Sequence, residues 1–121
     1  KEHGIGVIAW SPLEGGVLGG NLNPERGTRS YELLPKIEKL RPHLEKFSKL
    51  CNEIGESEST VALAWTLAHP AITAPIIGPR TLKQFKETLR VVELELSDDV
   101  LASIDEIFPG PGGEAPQAYS W

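Results

Sequence analysis

Two segments of the chain place an apolar run directly before a glycine-containing turn, a pattern typical of anion-binding loops. The first is GVIAWSPLEGG, residues 6–16, and the second is APIIGPRTLKQFKE, residues 74–87. Glycine lets an anion approach the backbone, and the unpaired N–H groups at the start of a following helix favour negative charge. Two such turns around one anion would form a phosphate site.

The first segment carries its polar group immediately after the apolar run. Ser11 supplies a hydroxyl donor, and Pro12 and Leu13 restrict the turn that leads to Gly15. A Ser-Pro pair is also common in ordinary turns. This segment therefore indicates a ligand site only in combination with the second one.

The second segment spaces three polar side chains so that they share one helical face. Arg80, Gln84 and Glu87 lie at i, i+4 and i+7. A guanidinium matches the geometry of a phosphate monoester, and an amide and a carboxylate can bind the amino group of a purine. On an exposed helix such residues are usually solvated surface, so the pairing with the first segment is what favours a cofactor phosphate site.

The composition is that of an ordinary globular domain and excludes several classes of partner. The chain has 121 residues, of which 40% are hydrophobic and 24% charged, and its net charge is −5. No basic face stands out, which argues against nucleic acid, and no apolar run is long enough for a membrane span. Cys51 lies on the apolar face of a predicted helix, so we expect a buried, inert thiol and a reducing cytoplasm.

Apolar spacing and capping residues predict an alternation of buried strands and helices. Strands are predicted at 5–10 and 72–77, a long loop at 21–34, and helices at 35–54, 57–68, 81–92 and 97–108. Pro42 should kink or divide the first helix. We expect the third to turn its apolar face, residues Leu82, Phe85, Leu89 and Val92, inward.

Alternating strands and helices predict a parallel sheet with right-handed crossovers, in which the strand at 5–10 is buried on both faces. Two parallel strands need neighbours on both edges. The chain also contains no methionine, not even at position 1. Both observations favour a piece of a longer polypeptide, whereas a processed or engineered start of a complete small protein stays open. Residues 109–121 are predicted to form an irregular tail.

Taken together, these motifs resemble the C-terminal third of an aldo-keto reductase, a family of NADPH-dependent TIM-barrel oxidoreductases. The runs 8–13 and 15–20, IAWSPL and GGVLGG, are similar to the family's seventh strand and cofactor loop. Residues 61–65, VALAW, resemble the helix before the eighth strand, and 77–81, IGPRT, the eighth strand with its adenosine-phosphate site. Residues 112–119 resemble the end of bacterial members. The resemblance implies the last two strands, with their helices, of a partial (β/α)8 barrel.

The resemblance also implies a role for each site residue. The segment Ser11 to Gly15, including Pro12 and Leu13, would hold the pyrophosphate and nearby ribose of NADP(H), and Trp10 would lie close to the nicotinamide. The remaining contacts would come from the second segment: the 2′-phosphate from Gly78 and Arg80, and the adenine from Gln84 and Glu87.

Two positions depart from the family pattern. Thr88 stands where the family often has Asn, and Asn21 stands where a Lys often follows the glycine-rich turn. Arg26 or Arg29 could replace that lysine as a mobile clamp over the cofactor.

The family's catalytic Tyr, Lys, Asp and His belong to the first half of the barrel, and none of them can be placed in this chain. We therefore predict no catalytic residue and no metal site. By the resemblance, the full-length protein would reduce a carbonyl substrate, and the isolated segment would be inactive and would self-associate through exposed apolar surface. A non-catalytic nucleotide-sensing or interaction module is the main alternative. An unrelated barrel that binds a sugar phosphate or flavin phosphate is another.

Overall fold

The computed structural model describes residues 3–110, in which two short strands lie among five α-helices. The strands are β1, Val7–Ala9, and β2, Ile72–Pro75; the helices are α1, Arg29–Glu32, α2, Leu34–Ile54, α3, Glu58–Ala68, α4, Leu82–Leu89, and α5, Asp98–Ile107. Short 3-10 helices span Glu14–Gly19 and Arg90–Val92. Of the predicted tail, only residues 109 and 110 are described, and the rest lies outside the described residues.

The predicted parallel pairing is confirmed. β1 and β2 are hydrogen-bonded in parallel, with Val7 opposite Ile72 and Ala9 opposite Pro75. The prediction that the first strand is buried on both faces is wrong, because Val7 and Ile8 are exposed. Within residues 3–110 the sheet has two strands, and the helix that packs against it, α3, contacts β2.

Side-chain capping explains where three of the helices begin. The side chains of Ser57, Thr81 and Ser97 accept hydrogen bonds from the backbone at the starts of α3, α4 and α5. At the other end of α2, Gly55 has a φ of 74°, the left-handed conformation that a helix-terminating glycine supplies. These boundaries are close to those predicted from the sequence.

Helix α2 is continuous, so the prediction that Pro42 would kink or divide it is not confirmed. Pro42 is exposed to solvent. Water can therefore take the hydrogen bond that the missing proline N–H leaves at the preceding turn. A proline at this exposed position removes one backbone hydrogen bond, but it does not leave a buried carbonyl without a partner.

The loop predicted at 21–34 contains a helix that the sequence did not indicate. Helix α1 follows Thr28, whose side chain accepts a hydrogen bond from the N–H of Tyr31. Leu33 then ends α1 and begins α2. The connection between the glycine-rich turn, residues 14–20, and α2 is therefore partly helical.

The core lies between α2, α3 and α5. Its buried side chains are Phe47, Cys51, Val61, Ala62 and Ile104. A second cluster joins α2 to the glycine-rich turn through Val17, Ile37 and Leu44. Cys51 is buried, as predicted, and the apolar α3 is buried through Thr60 to Ala64. Within residues 3–110, no helix is both long and apolar enough to cross a bilayer.

The predicted inward face of α4 is exposed. Leu82, Phe85, Leu89 and Val92 are all accessible to solvent, and Val91 is buried instead. The reason is that α4 packs against α3 and the 3-10 helix Arg90–Val92, which lie on its other side. The prediction that this face turns inward is therefore wrong for residues 3–110.

Candidate cofactor-binding cleft

Both candidate segments line one cleft with a volume of about 480 Å³. It lies where β1 and β2 end, between the glycine-rich turn and the start of α4. All nine site residues predicted from the sequence contribute to its walls: Trp10, Ser11, Pro12, Leu13, Gly15, Gly78, Arg80, Gln84 and Glu87. Two strand ends that neighbour each other in a parallel sheet open toward the same edge, and this is why the segments meet.

The first wall is a tight turn with a strained backbone. Ser11 and Glu14 have φ values of 53° and 51°, a left-handed conformation that is uncommon outside glycine. The N–H of Glu14 donates to the carbonyl of Ser11 at 2.9 Å, and the N–H of Gly15 donates to Ser11 Oγ at 3.2 Å. Because a hydroxyl that accepts one bond keeps its own O–H, Ser11 can still donate to a ligand.

The second wall is the start of α4. Thr81 Oγ1 accepts from the N–H of Gln84 at 3.1 Å, and Gln84 Oε1 accepts from the N–H of Arg80 at 2.8 Å. Gln84 therefore holds the backbone that presents Arg80, a role that its sequence position did not reveal. Its amide NH₂ group is left for a ligand. Arg80 itself lies just before the helix, since Thr81 is the N-cap.

The charged residues in the cleft lining are mostly basic, although the chain is acidic. Its lining includes the guanidinium groups of Arg29 and Arg80 and the carboxylate of Glu87. Within residues 3–110, neither arginine forms an ion pair, whereas Glu87 pairs with the exposed Lys83 at 4.0 Å. Two unpaired cations facing one cleft favour an anionic ligand, because each lacks a protein carboxylate that would compete with it.

Of the two arginines proposed as a clamp, the structure places Arg29 on the cleft wall, and Arg26 is not in the lining. Arg29 is the first residue of α1, which packs against the glycine-rich turn: Ser30 Oγ lies 3.5 Å from the position that a Cβ at Gly16 would occupy. Thr88 and Asn21, the two departures from the resemblance, also line the cleft.

The start of α3 forms part of the cleft that sequence reasoning missed. Ser57, Ser59, Thr60 and Leu63 lie in the lining. The hydroxyls of Ser57 and Thr60 are hydrogen-bonded to each other at 2.8 Å. The available signal was the pair Ser57 and Ser59 before the apolar stretch VALAW, but such residues also serve as helix caps.

Metal chemistry has no support in this part of the chain. Among residues 3–110, no cluster of three or more His, Cys, Asp or Glu side chains could hold a metal ion. Ser11, Arg80 and Arg29 instead combine a hydroxyl with guanidinium groups, a donor set suited to phosphate oxygens.

Several known proteins are similar to this chain over most of its length. The model of the Aldo/keto reductase family matches residues 1–108. The uncharacterized oxidoreductase YrpG of Bacillus subtilis is 55% identical over 122 residues, which cover 100% of this chain and 37% of YrpG. An L-glyceraldehyde 3-phosphate reductase of Escherichia coli O157:H7 is 30% identical over 88% of this chain and 34% of its own length.

A protein of another functional class is also similar. A putative voltage-gated potassium channel subunit beta of Schizosaccharomyces pombe is 32% identical over 87% of this chain and 34% of its own length. The chain thus spans about a third of the length of the curated relatives it matches.

Proposed function

Because this chain belongs to the aldo-keto reductase family, we propose that it forms the cofactor-binding C-terminal part of an NADP(H)-dependent carbonyl reductase. In this proposal β1 and β2 are the seventh and eighth strands of a (β/α)8 barrel. The loops after these two strands often form the phosphate site of such barrels. The proposed compartment is the reducing cytoplasm, in keeping with the free and buried Cys51.

The observation that carries the proposal is the cleft in an acidic chain whose two arginines form no ion pair within residues 3–110. NADP(H) has a pyrophosphate and a separate 2′-phosphate, so it needs cations at two places. Arg80 and Arg29 both line the cleft but come from different walls. Arginine is suited to both groups, because its planar fork can bind two phosphate oxygens at once.

Each wall is assigned one part of the cofactor. Ser11 to Gly15 would hold the pyrophosphate and the adjoining ribose, with Arg29 above them, and Trp10 would lie near the nicotinamide. Trp10 is 73% exposed, so its ring is available to a ligand. The start of α4 would hold the adenosine end, with the 2′-phosphate on Gly78 and Arg80 and the adenine between Gln84 and Glu87.

When bound, NADPH supplies a hydride for a carbonyl carbon. This chain's own residues hold and orient the cofactor, and none is assigned the transfer of a proton. Tyr31, on α1, is not among the residues that line the cleft. We propose that the proton donor comes from the barrel's other strands.

The test is NADPH binding by the complete protein after removal of Arg80 or Gln84. Loss of a charge-assisted hydrogen bond should raise the NADPH dissociation constant by about tenfold or more in Arg80→Ala. NADH, which lacks the 2′-phosphate, should bind this variant as it binds wild type. Fluorescence titration of both cofactors measures the difference, and Lys86→Ala, on α4 but outside the cleft lining, is the control. Unchanged NADPH affinity after both Arg80 and Gln84 are replaced by alanine would refute the proposal.

A non-catalytic, nucleotide-sensing role is the second candidate, supported by the similarity to a putative channel beta subunit. It shares the cleft and the cofactor but needs no turnover. Stoichiometric NADPH binding without reduction of any of a panel of aldehydes would favour it. The sugar-phosphate or flavin-phosphate alternative predicts instead that NADPH gives no protection against thermal unfolding.

A further inference from the structure

Charged side chains of helix α2 contact both ends of the glycine-rich segment, residues 14–23. At one end Lys36 pairs with Glu14, and at the other Arg41 bonds to Leu22 and Asn23. We propose that Lys36 and Arg41 are positioning residues, which hold this segment in the conformation that receives the cofactor. The inference rests on the proposed function for the identity of the ligand.

The first contact supports the strained part of the turn. The Nζ of Lys36 hydrogen-bonds to the carboxylate of Glu14. Glu14 is a non-glycine residue with a φ of 51°, and such a conformation persists only where the surroundings favour it. Beside it, Leu33 Cδ1 lies 3.1 Å from the position that a Cβ at Gly15 would occupy. The start of α2 thus fixes the turn that carries Ser11 and Gly15.

The second contact holds the end of the segment. Arg41 Nη2 donates to the carbonyl of Leu22 at 3.0 Å and to Asn23 Oδ1 at 3.4 Å. Glu38, one turn earlier on α2, accepts from Arg41 Nε at 3.0 Å and from Nη2 at 2.5 Å. Glu38 therefore aligns the guanidinium, and a point-charge ammonium could not reproduce this arrangement.

The segment between these contacts and α1 is ordered by its own bonds. The N–H of Asn23 donates to Asn21 Oδ1 at 3.2 Å, and Thr28 Oγ1 donates to the carbonyl of Glu25 at 2.7 Å. Pro24 is buried. The Asn21 side chain is thus engaged with the backbone, and the ordered chain leads directly to Arg29. Anchoring the segment at Leu22 therefore also sets where Arg29 lies.

The ion pairs are not needed to hold α2 itself in place. The helix is fixed by the buried Ile37, Leu44, Phe47 and Cys51. Both pairs are partly exposed: the Arg41 side chain is 27% exposed and that of Lys36 45%. Such pairs contribute little to global stability. Their main effect should therefore be on the segment they touch, which can open locally without unfolding the core.

The experiment compares Arg41→Gln, Arg41→Lys and Lys36→Gln with Lys49→Gln in the complete protein. Lys49 forms an equivalent ion pair on α2 with Glu53, at 4.0 Å, away from the cleft. We expect the KM for NADPH to rise by about tenfold in Arg41→Gln, with kcat and the thermal midpoint of the cofactor-free protein close to wild type. Arg41→Lys should not restore affinity, and Lys49→Gln should behave as wild type.

Limited trypsin digestion without cofactor gives a second readout. Arg26 and Arg29 are trypsin sites that follow the anchored segment 14–23. Arg41 precedes Pro42, so its removal deletes no efficient site. Cleavage after Arg26 should accelerate several-fold in Arg41→Gln. Wild-type cleavage together with wild-type NADPH affinity in this variant would overturn the inference. Failure of the unmodified protein to bind NADPH would instead overturn the proposed function. The cleavage rates would still test whether Arg41 anchors the segment.

Discussion

At the residue scale, two side chains of the cleft hydrogen-bond to the backbone with one atom and can bind a ligand with another. Gln84 accepts from the N–H of Arg80, and Ser11 accepts from the N–H of Gly15. Each uses one hydrogen-bonding atom to shape the cleft wall and keeps another for a cofactor. The helical spacing of Arg80, Gln84 and Glu87 predicted that they would lie together, but it could not show which atoms were already bonded.

Gly20, which follows the 3-10 helix Glu14–Gly19, also shapes this part of the chain. Its φ is 84°, and the Glu58 carboxylate lies 2.7 Å from the position that a Cβ would take. Glu58 also accepts a hydrogen bond from Ser48 on α2 at 2.7 Å. The positive φ and the close approach of this carboxylate explain why the turn needs glycine here.

Cys51 illustrates a residue whose chemistry is suppressed by its surroundings. Burial, helped by the nearby charge of Glu58, raises the pKa of the thiol from its ordinary 9.0 to about 12. At about pH 8 the thiol of the folded protein should therefore stay protonated and react with Ellman's reagent far more slowly than that of the unfolded protein. A fast reaction in the absence of denaturant would contradict this.

The same shift has a consequence for stability. Because the pKa of Cys51 is higher in the folded than in the unfolded protein, the folded protein binds the thiol proton more tightly. The stability that this proton contributes is complete below pH 9.0. The contribution should be lost as the pH rises from 9.0 toward about 12. Denaturant unfolding across this range measures the loss, and Cys51→Ser, which lacks this titration, is the reference.

At the scale of the elements, the helix caps allow stability and binding to be separated. Thr81 caps α4 at the cleft, and Ser97 caps α5 outside the cleft lining. Either residue changed to alanine should lower the free energy of unfolding by about 1 kcal/mol. Only Thr81→Ala should also weaken NADPH binding, because the start of α4 carries Gln84. Denaturant unfolding and cofactor titration of both variants make the comparison, and equal binding losses would contradict the assignment of α4.

The elements also show what sequence reasoning can reach. Serine and threonine caps, glycine at the end of α2 and apolar spacing gave four helices to within a few residues, since these signals are local. Helix α1 was missed because its four residues are too few to show periodicity, and it depends on packing against the glycine-rich turn. The strands proved shorter than predicted, because strand length depends on pairing partners rather than on the run of apolar residues.

At the scale of the whole molecule, many large apolar side chains are exposed within residues 3–110. They come from β1 and its flanks, the chain after β2 and the apolar face of α4: Ile5, Val7, Ile8, Trp10, Ile76, Ile77, Leu82, Phe85, Leu89 and Val92. Large exposed apolar surfaces normally mark an interface. Amphipathic spacing in the sequence predicted that α4 would bury this face, and no sequence signal could specify what would cover it. We propose that the remaining barrel strands and helices do so.

Phe85 and Phe47 provide the test of that proposal. Phe85 is 42% exposed in this chain, whereas Phe47, in the α2–α3–α5 core, is 2% exposed. In the isolated 121-residue chain, kept dilute enough to be monomeric, Phe85→Ala should therefore cost about 1 kcal/mol or less, while Phe47→Ala should cost about 3–5 kcal/mol. In the complete protein both substitutions should approach the larger value, because the barrel buries Phe85.

Unfolding by denaturant, with the association state followed by light scattering, measures these differences. The isolated chain should also self-associate, since the exposed face is free to pair with a second copy. A monomeric chain that unfolds cooperatively, and in which Phe85→Ala costs the same as in the complete protein, would show that this face needs no cover. The apolar spacing of α4 would then have to serve a purpose other than packing within a barrel.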